Sequence, residues 1–296
     1  MQIANPIYDV VFKYLMEDND IAKLILSTII GQEIVALDFL PQERTVVLEQ
    51  RSLTVYRLDF SATIKMPDER RKQVIIEIQK AKFATDIMRF RRYLGAQYQK
   101  NENLYTTVIR GKTTRVAMPI ISIYFLGYEL RHTTAPIIKV ARAYYDVTTG
   151  REIHTREEFI ESLTHDSYVI QIPYLHPDRK TDIEQLLSIF DQHRATSNAH
   201  ILSIDEGEYP EKYRPVIRRL QRAIAEPDVQ DTMDAEDDIL EELEEMERVI
   251  EGQREALDEK DKALDEKDKA LDEKDKALHE KERLIEELRK RLADNE

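Results

Sequence analysis

Two acids and an amide stand at the centre of two segments with strand periodicity: Asp59 in the first, Glu77 and Gln79 in the second. Carboxylates held a few ångströms apart repel unless a proton or a cation sits between them. A hard divalent cation prefers oxygen ligands, so a facing Asp–Glu pair can cradle one. Over residues 53–64 the pattern alternates strictly. Tyr56, Leu58, Phe60, Ala62 and Ile64 take one face, and Arg57, Asp59 and Ser61 the other. Over residues 73–79, Val74, Ile76 and Ile78 take one face, Glu77 and Gln79 the other. Residues 66–72 between them are polar, contain Pro67 and read as a hairpin turn. A turn symmetric about Glu69 sets Asp59 opposite Gln79 and diagonal to Glu77, all on one face because side chains alternate with a period of two. Directly opposed Cβ atoms lie roughly 5 Å apart and diagonal ones about 7–8 Å. The bland alternative for Asp59 is a solvent-facing acid. For Glu77, inside an apolar run where an unpaired carboxylate is costly, it is a structural ion pair.

The elements that must hold these positions follow from local signals. Asn5 as N-cap and Pro6 in the first helical position predict a helix over 6–17. Ile21, Leu24, Ile25 and Thr28 recur at helical spacing over 19–30, and Gly31 ends that helix. Residues 34–40 and 45–50 read as strands, followed by the acidic hairpin. Residues 85–101 read as a helix with Ile87, Phe90, Leu94 and Tyr98 as its apolar stripe. The isoleucine-rich run 119–125 reads as a buried strand. Beyond Tyr128, residues 137–147 and 168–172 read as extended, and 182–192 and 211–225 as helical.

An Asp on one strand with Glu-x-Lys on the next is the residue pattern of the PD-(D/E)XK nuclease superfamily. The chain resembles its Rpn-type recombination-promoting nuclease and transposase branch. In that branch the last place is commonly Gln, as in Ile76-Glu77-Ile78-Gln79. Asn5-Pro6-Ile7-Tyr8-Asp9-Val10-Val11-Phe12-Lys13 looks like the family's opening Asp-x-x-Phe-Lys helix. Residues 83–93 look like its Arg- and Tyr-bearing helix, and the likeness covers residues 1–130 before thinning out.

The resemblance implies an α/β, restriction-endonuclease-like core of α-β-β-β-α-β order. It also implies a metal-dependent DNA endonuclease linked to recombination or mobile elements. Mg²⁺ (or Mn²⁺) would be held by Asp59, Glu77 and the backbone carbonyl of Ile78. Gln79 would stand in for the lysine, orienting water without charge and without accepting a proton. Asp9 would line the site, and Arg89, Arg91, Arg92 and Lys13 would meet DNA phosphates. Plainer readings stand beside these. Asp9 in a first helical turn suits the helix dipole and pairs with Lys13 at i+4. The arginines also read as a solvated basic face, as do Arg110, Lys112 and Arg115. Loss of the lysine also admits a nuclease fold without useful activity, working as an adaptor through its tail.

Composition narrows the classes. Cysteine is absent, which excludes disulfides and thiolate metal sites and suits a reducing cytoplasm. There is no 18-residue apolar run and no basic-then-apolar leader, so the expectation is a soluble cytoplasmic protein with no membrane partner. The histidines lack metal-ligand spacing and the glycines form no phosphate-cradling loop. The net charge of −14 belongs to the tail: residues 234–296 carry 26 acidic and 13 basic side chains, against 32 and 31 in the rest. A neutral body can still bind nucleic acid if its basic groups share a face.

Three organisational parts are expected: a nuclease-like core over 1–130, an extension or small subdomain over 131–233, and an acidic heptad tail over 234–296. Within the tail Ala-Leu-Asp-Glu-Lys-Asp-Lys occurs three times unchanged, from Ala256, Ala263 and Ala270. Leu243, Ile250, Leu257, Leu264, Leu271, Leu278, Ile285 and Leu292 fill one heptad position, a. Position d then reads Ile239, Met246, Gln253, Lys260, Lys267, Lys274, Lys281 and Leu288. The ends suit a coiled coil and the lysine-bearing middle weakens one. Asp258–Lys262, Asp265–Lys269 and Asp272–Lys276 are i,i+4 pairs that favour helix. A helix over 239–296 would be about 87 Å long. It offers a seam to a second copy or another helical partner, and is expected to be dispensable for the fold.

Overall fold

The computed structural model describes residues 1–47, 54–67, 70–79, 86–99, 101–109, 111–175 and 181–293. It divides into two units, Met1–Leu240 and Glu241–Glu296. The first contains β1 (Gln2–Ala4), α1 (Asp9–Met16), α2 (Asn19–Ile30), β2 (Ala36–Val47), β3 (Thr54–Lys65), β4 (Arg71–Gln79) and α3 (Asp86–Gln99). There follow β5 (Leu104–Ile109), β6 (Lys112–Ala117), β7 (Ile120–Leu126), β8 (Ile137–Val140), β9 (Tyr144–Asp146), β10 (Arg151–Ile153) and α4 (Glu158–Leu163). Last come β11 (His165–Gln171), α5 (Asp182–Leu187), β12 (Ile201–Ser203), α6 (Arg214–Ala223) and the start of α7 (Pro227–Ala293).

The chain is a mixed α/β protein with a mixed sheet and a long C-terminal helix. The sheet runs β2-β3-β4-β7-β11-β8. Its middle strands β4, β7 and β11 are parallel, and β2–β3, β3–β4 and β11–β8 pair antiparallel. A parallel centre is covered on both faces, which is why β7 is apolar apart from Ser122, with six of its seven residues buried. Pro41 lies in β2, an edge strand, where its missing N–H leaves no interior ladder broken. Residues after 130 add β8 and β11 to this same sheet.

On one face Ala62, Ile64, Val74, Ile76, Ile121, Ile123, Phe125 and Ile170 form a core with the apolar sides of α1, α2 and α6. Phe12 of α1 meets Phe125 at 5.5 Å between ring centroids. On the other face Gln73 Nε2 donates to Gln97 Oε1 of α3 at 2.8 Å, so α3 covers that side.

One of the first two helix starts differs from local expectation. α2 is as read: Asp18 accepts from the backbone of Asp20 and Ile21, and Gly31 closes it at φ 71°. α1, however, begins at Asp9 rather than at residue 6. Asn5 is buried: its Nδ2 donates to Gln192 and to the carbonyl of Ala199, while its Oδ1 accepts from the Ile7 N–H at 3.2 Å, so its local bond closes a turn ahead of the helix rather than the helix itself. The cap arrives from the far end of the unit. Glu236 accepts from the backbone N–H of Asp9 at 3.0 Å and of Val10 at 2.9 Å, satisfying two otherwise unpartnered donors. Beside it Asp237 accepts from the buried Tyr8 hydroxyl at 2.9 Å and lies 2.8 Å from His200 Nε2. Burial, then this hydrogen bond, push the Tyr8 phenol well above its ordinary range.

Other differences are local. The two strands read over 34–50 are one, Ala36–Val47, and residues 48–50 lie outside the described residues. Lys112 and Arg115 of the expected basic cluster lie on β6, paired to β5 in a hairpin, and Arg110 lies outside the described residues. α7 starts at Pro227, twelve residues before Ile239, and its first turns bury Val229 and Met233 in the first unit's core. Among the described residues no helix is long and apolar enough to cross a membrane.

Candidate functional site

The acidic hairpin is present, with its register moved by one step. Met66 N–H donates to Arg70 O at 2.9 Å and Lys65 pairs with Arg71, so the turn is centred on position 68 rather than on Glu69. The buried Met66 accounts for the shift, since it closes the hairpin from inside the core. The β3–β4 ladder runs from Lys65–Arg71 to Phe60–Ile76. Continued by one step, this register would set Asp59 against Glu77, with Gln79 diagonal, in place of the expected Asp59–Gln79 opposition. Beyond this point β3 continues along β2, with Asp59 paired to Gln42, while β4 continues along β7, with Glu77 paired to Tyr124 and Gln79 to Leu126. Two acid-bearing positions therefore stand just beyond the end of the β3–β4 ladder, while each strand keeps the neighbour on its other edge. The side chains of Asp59, Glu77, Gln79, Arg89 and Arg92 lie outside the described residues.

Parity relates these positions to α3. Positions 77 and 79 alternate in step with Gln73 and Ile75, and Gln73 bonds Gln97 near the end of α3. Only residues 80–85 separate β4 from α3, so the helix runs back along the strand it follows. From Gln97 to Arg89 is eight helical residues, about 12 Å. From Gln73 to Glu77 is four strand residues, about 13 Å. The helical turn bearing Arg89, Arg91 and Arg92 therefore stands level with strand position 77. Arg91 is exposed.

The far end of α3 is anchored by polar side chains that periodicity does not reveal. Asn103 Nδ2 donates to Gln97 O at 2.6 Å, and the Tyr98 hydroxyl lies 2.9 Å from His165 Nδ1 at the start of β11. Burial, and after it the Arg142 charge, hold the His165 imidazole below its usual value. A neutral ring can accept from Tyr98, and a protonated one cannot. Because the folded value is depressed, this contribution is present above the unfolded pKa of about 6.5 and lost as pH falls through the folded one. The thermal midpoint of the wild type should therefore fall more between pH 7 and pH 5 than that of His165→Asn. Parallel curves would show that His165 is not the titrating group.

A second polar cluster is self-satisfied. Arg142 binds Asp166 at 2.9 Å and Glu161 at 3.0 Å, and Arg156 and the Tyr144 hydroxyl also bind Glu161. Burial alone would raise the Asp166 carboxyl, but the Arg142 hydrogen bond and charge bring it below its ordinary value. This cluster ties β9 and α4 to β11 and leaves its charges committed.

Of the remaining expected site residues, Asp9 is the first residue of α1, with its backbone N–H bound by Glu236. Lys13 is half-buried in the last turn of the same helix. α1 packs on the sheet face of Val74 and Ile76, the opposite parity from positions 77 and 79. Glu77, Asp59 and the carbonyl of Ile78 supply oxygen donors only, the set that a hard cation takes. Among the described residues no group of three His, Asp or Glu gathers as a metal site. Compared with protein-family models, curated proteins and solved structures, the chain shows no significant match.

Proposed function

We propose that the chain is a metal-dependent DNA endonuclease of the Rpn-like PD-(D/E)XK type, serving recombination or mobile elements. The observation that carries this reading is the end of the β3–β4 ladder at Phe60–Ile76, one step short of Asp59 and Glu77. Supporting it are the order from α1 to β7, two helices, three strands, a helix, the interposed β5–β6 hairpin and a parallel strand, and the level of the α3 arginines. Asp59, Glu77 and the Ile78 carbonyl would hold Mg²⁺ or Mn²⁺. When bound, the cation lowers the pKa of a coordinated water and offsets charge building on the phosphate. Gln79 hydrogen-bonds water or a phosphate oxygen, and the α3 arginines neutralise the DNA backbone. Asp9 needs no catalytic role, since its place at the start of α1 accounts for it.

The test is nicking of supercoiled plasmid by the full chain, with Mg²⁺ or Mn²⁺ and with the metal chelated. Metal-dependent nicking that Glu77→Ala abolishes is expected; nicking that survives chelation, or none with either metal, removes the reading. The second outcome would favour an adaptor acting through α7, a reading supported by the exposed leucine row of that helix. The grip has its own expected result. Replacing Arg89 and Arg92 together by Ala should weaken binding to all duplexes alike. It should also flatten log affinity against log salt by about two charges' worth. An unchanged slope would return both arginines to a solvated surface.

A further inference from the structure

The second unit is a helix that leaves a row of apolar side chains in solvent. Leu257, Leu264, Leu271 and Leu278 are 56–61% exposed and Ile250 is 59% exposed. All fill heptad position a, while Lys260, Lys267, Lys274 and Lys281 fill d. A single helix has no way to cover such a row, and its own sequence specifies what can.

In a parallel in-register pair, like positions meet. Leucine would face leucine, but four successive d layers would set lysine against lysine. In an antiparallel pair each a position faces a d position. The register that sets Leu264 against Lys267 of a second copy also sets Leu257 against Lys274 and Leu271 against Lys260. Each lysine stem then lies over a leucine while its ammonium stays in water near acidic positions such as Asp261, Asp268 and Asp275. The ends complete the match: Leu243 meets Leu288, Met246 meets Ile285, and Ile239 meets Leu292. Sliding one heptad one way puts Leu243 against Asn295. Sliding the other way puts Leu243 against Lys281 and Leu288 against Glu236, which already caps α1.

We propose that residues 239–292 bind the same segment of a second copy of this chain as an antiparallel two-stranded coiled coil with Leu264 facing Lys267. This holds whether or not Asp59 and Glu77 cut DNA.

Because the chain has no cysteine, single spin labels can be placed cleanly in the full-length protein. Lys262→Cys and Arg248→Cys label exposed positions on the side away from the seam. Dipolar spectroscopy should give a short distance at 262, with an axial offset of about 10 Å. At 248 the axial offset should be on the order of 50 Å. Leu264→Asp with Leu271→Asp should abolish both couplings and give a monomer on sedimentation. Equal short distances at 248 and 262 would mean a parallel pair and overturn the proposal. So would a monomeric wild type with no coupling at either site.

Discussion

Asp59→Asn and Glu77→Gln should each slow plasmid nicking by on the order of 10³-fold while leaving the fold intact. The figure follows from losing several kcal/mol of charge stabilisation at the phosphate, each 1.36 kcal/mol being about tenfold in rate. Stability should move the other way. The register sets these two acids one step beyond the last β3–β4 pair, and opposed like charges destabilise a sheet by up to about 1 kcal/mol. Neutralising either should therefore leave the metal-free melting temperature unchanged or slightly raised. Wild-type nicking rates in both variants would mean that the acids are structural. A collapse of the melting temperature would mean the same, by showing that Glu77 belongs to an ion pair the fold needs.

The second large effect separates two truncations that sequence alone would treat alike. Removing 241–296 takes away the second unit and leaves the first whole. That protein should be soluble and melt cooperatively near the wild-type temperature. Removing 227–296 deletes Glu236 from the start of α1, Asp237 from the buried Tyr8 hydroxyl, and Val229 and Met233 from the core. A lost cap costs about 1 kcal/mol and each apolar side chain about 1.5–3 kcal/mol. Against a domain stability of about 5–15 kcal/mol this is a large fraction. At about 2–4 °C per kcal/mol the midpoint should fall by more than about 10 °C, or the protein should be insoluble. Equal thermal melts for the two truncations would show that the first turns of α7 contribute little.

What was legible in the chain is what depends on near neighbours. The alternation around Asp59 and Glu77 marks β3 and β4, helical spacing and Gly31 mark α2, and the heptads announce the helix of the second unit. The even residue sum across the hairpin kept the acids in step, although the turn was placed one residue too late, because the burial of Met66 is a tertiary fact. The cap of α1 was unreadable for the same reason, since Glu236 is separated from Asp9 by most of the chain. Asn5 carries a local cap signal, and its Oδ1 does accept from Ile7 N–H, but that bond closes a turn before the helix while its Nδ2 is held by Gln192 and Ala199. One missed signal was available: Pro227 sits at the first helical position of α7, the place proline prefers, and marks its start twelve residues before Ile239. Both faces of the β5–β6 hairpin mix apolar and polar residues, with Thr107 facing Thr114, Thr106 facing Arg115 and Val108 facing Thr113, so no alternation announces it.

The measurement that bears most directly on the nuclease reading is the binding of Mn²⁺, followed by electron paramagnetic resonance without DNA. The wild-type chain should deplete the free-ion signal with saturable binding that Mg²⁺ displaces. Asp59→Asn and Glu77→Gln, equally folded by thermal melt, should leave that signal near its protein-free level. Undiminished binding in both variants, or none in the wild type, would contradict a metal site between β3 and β4.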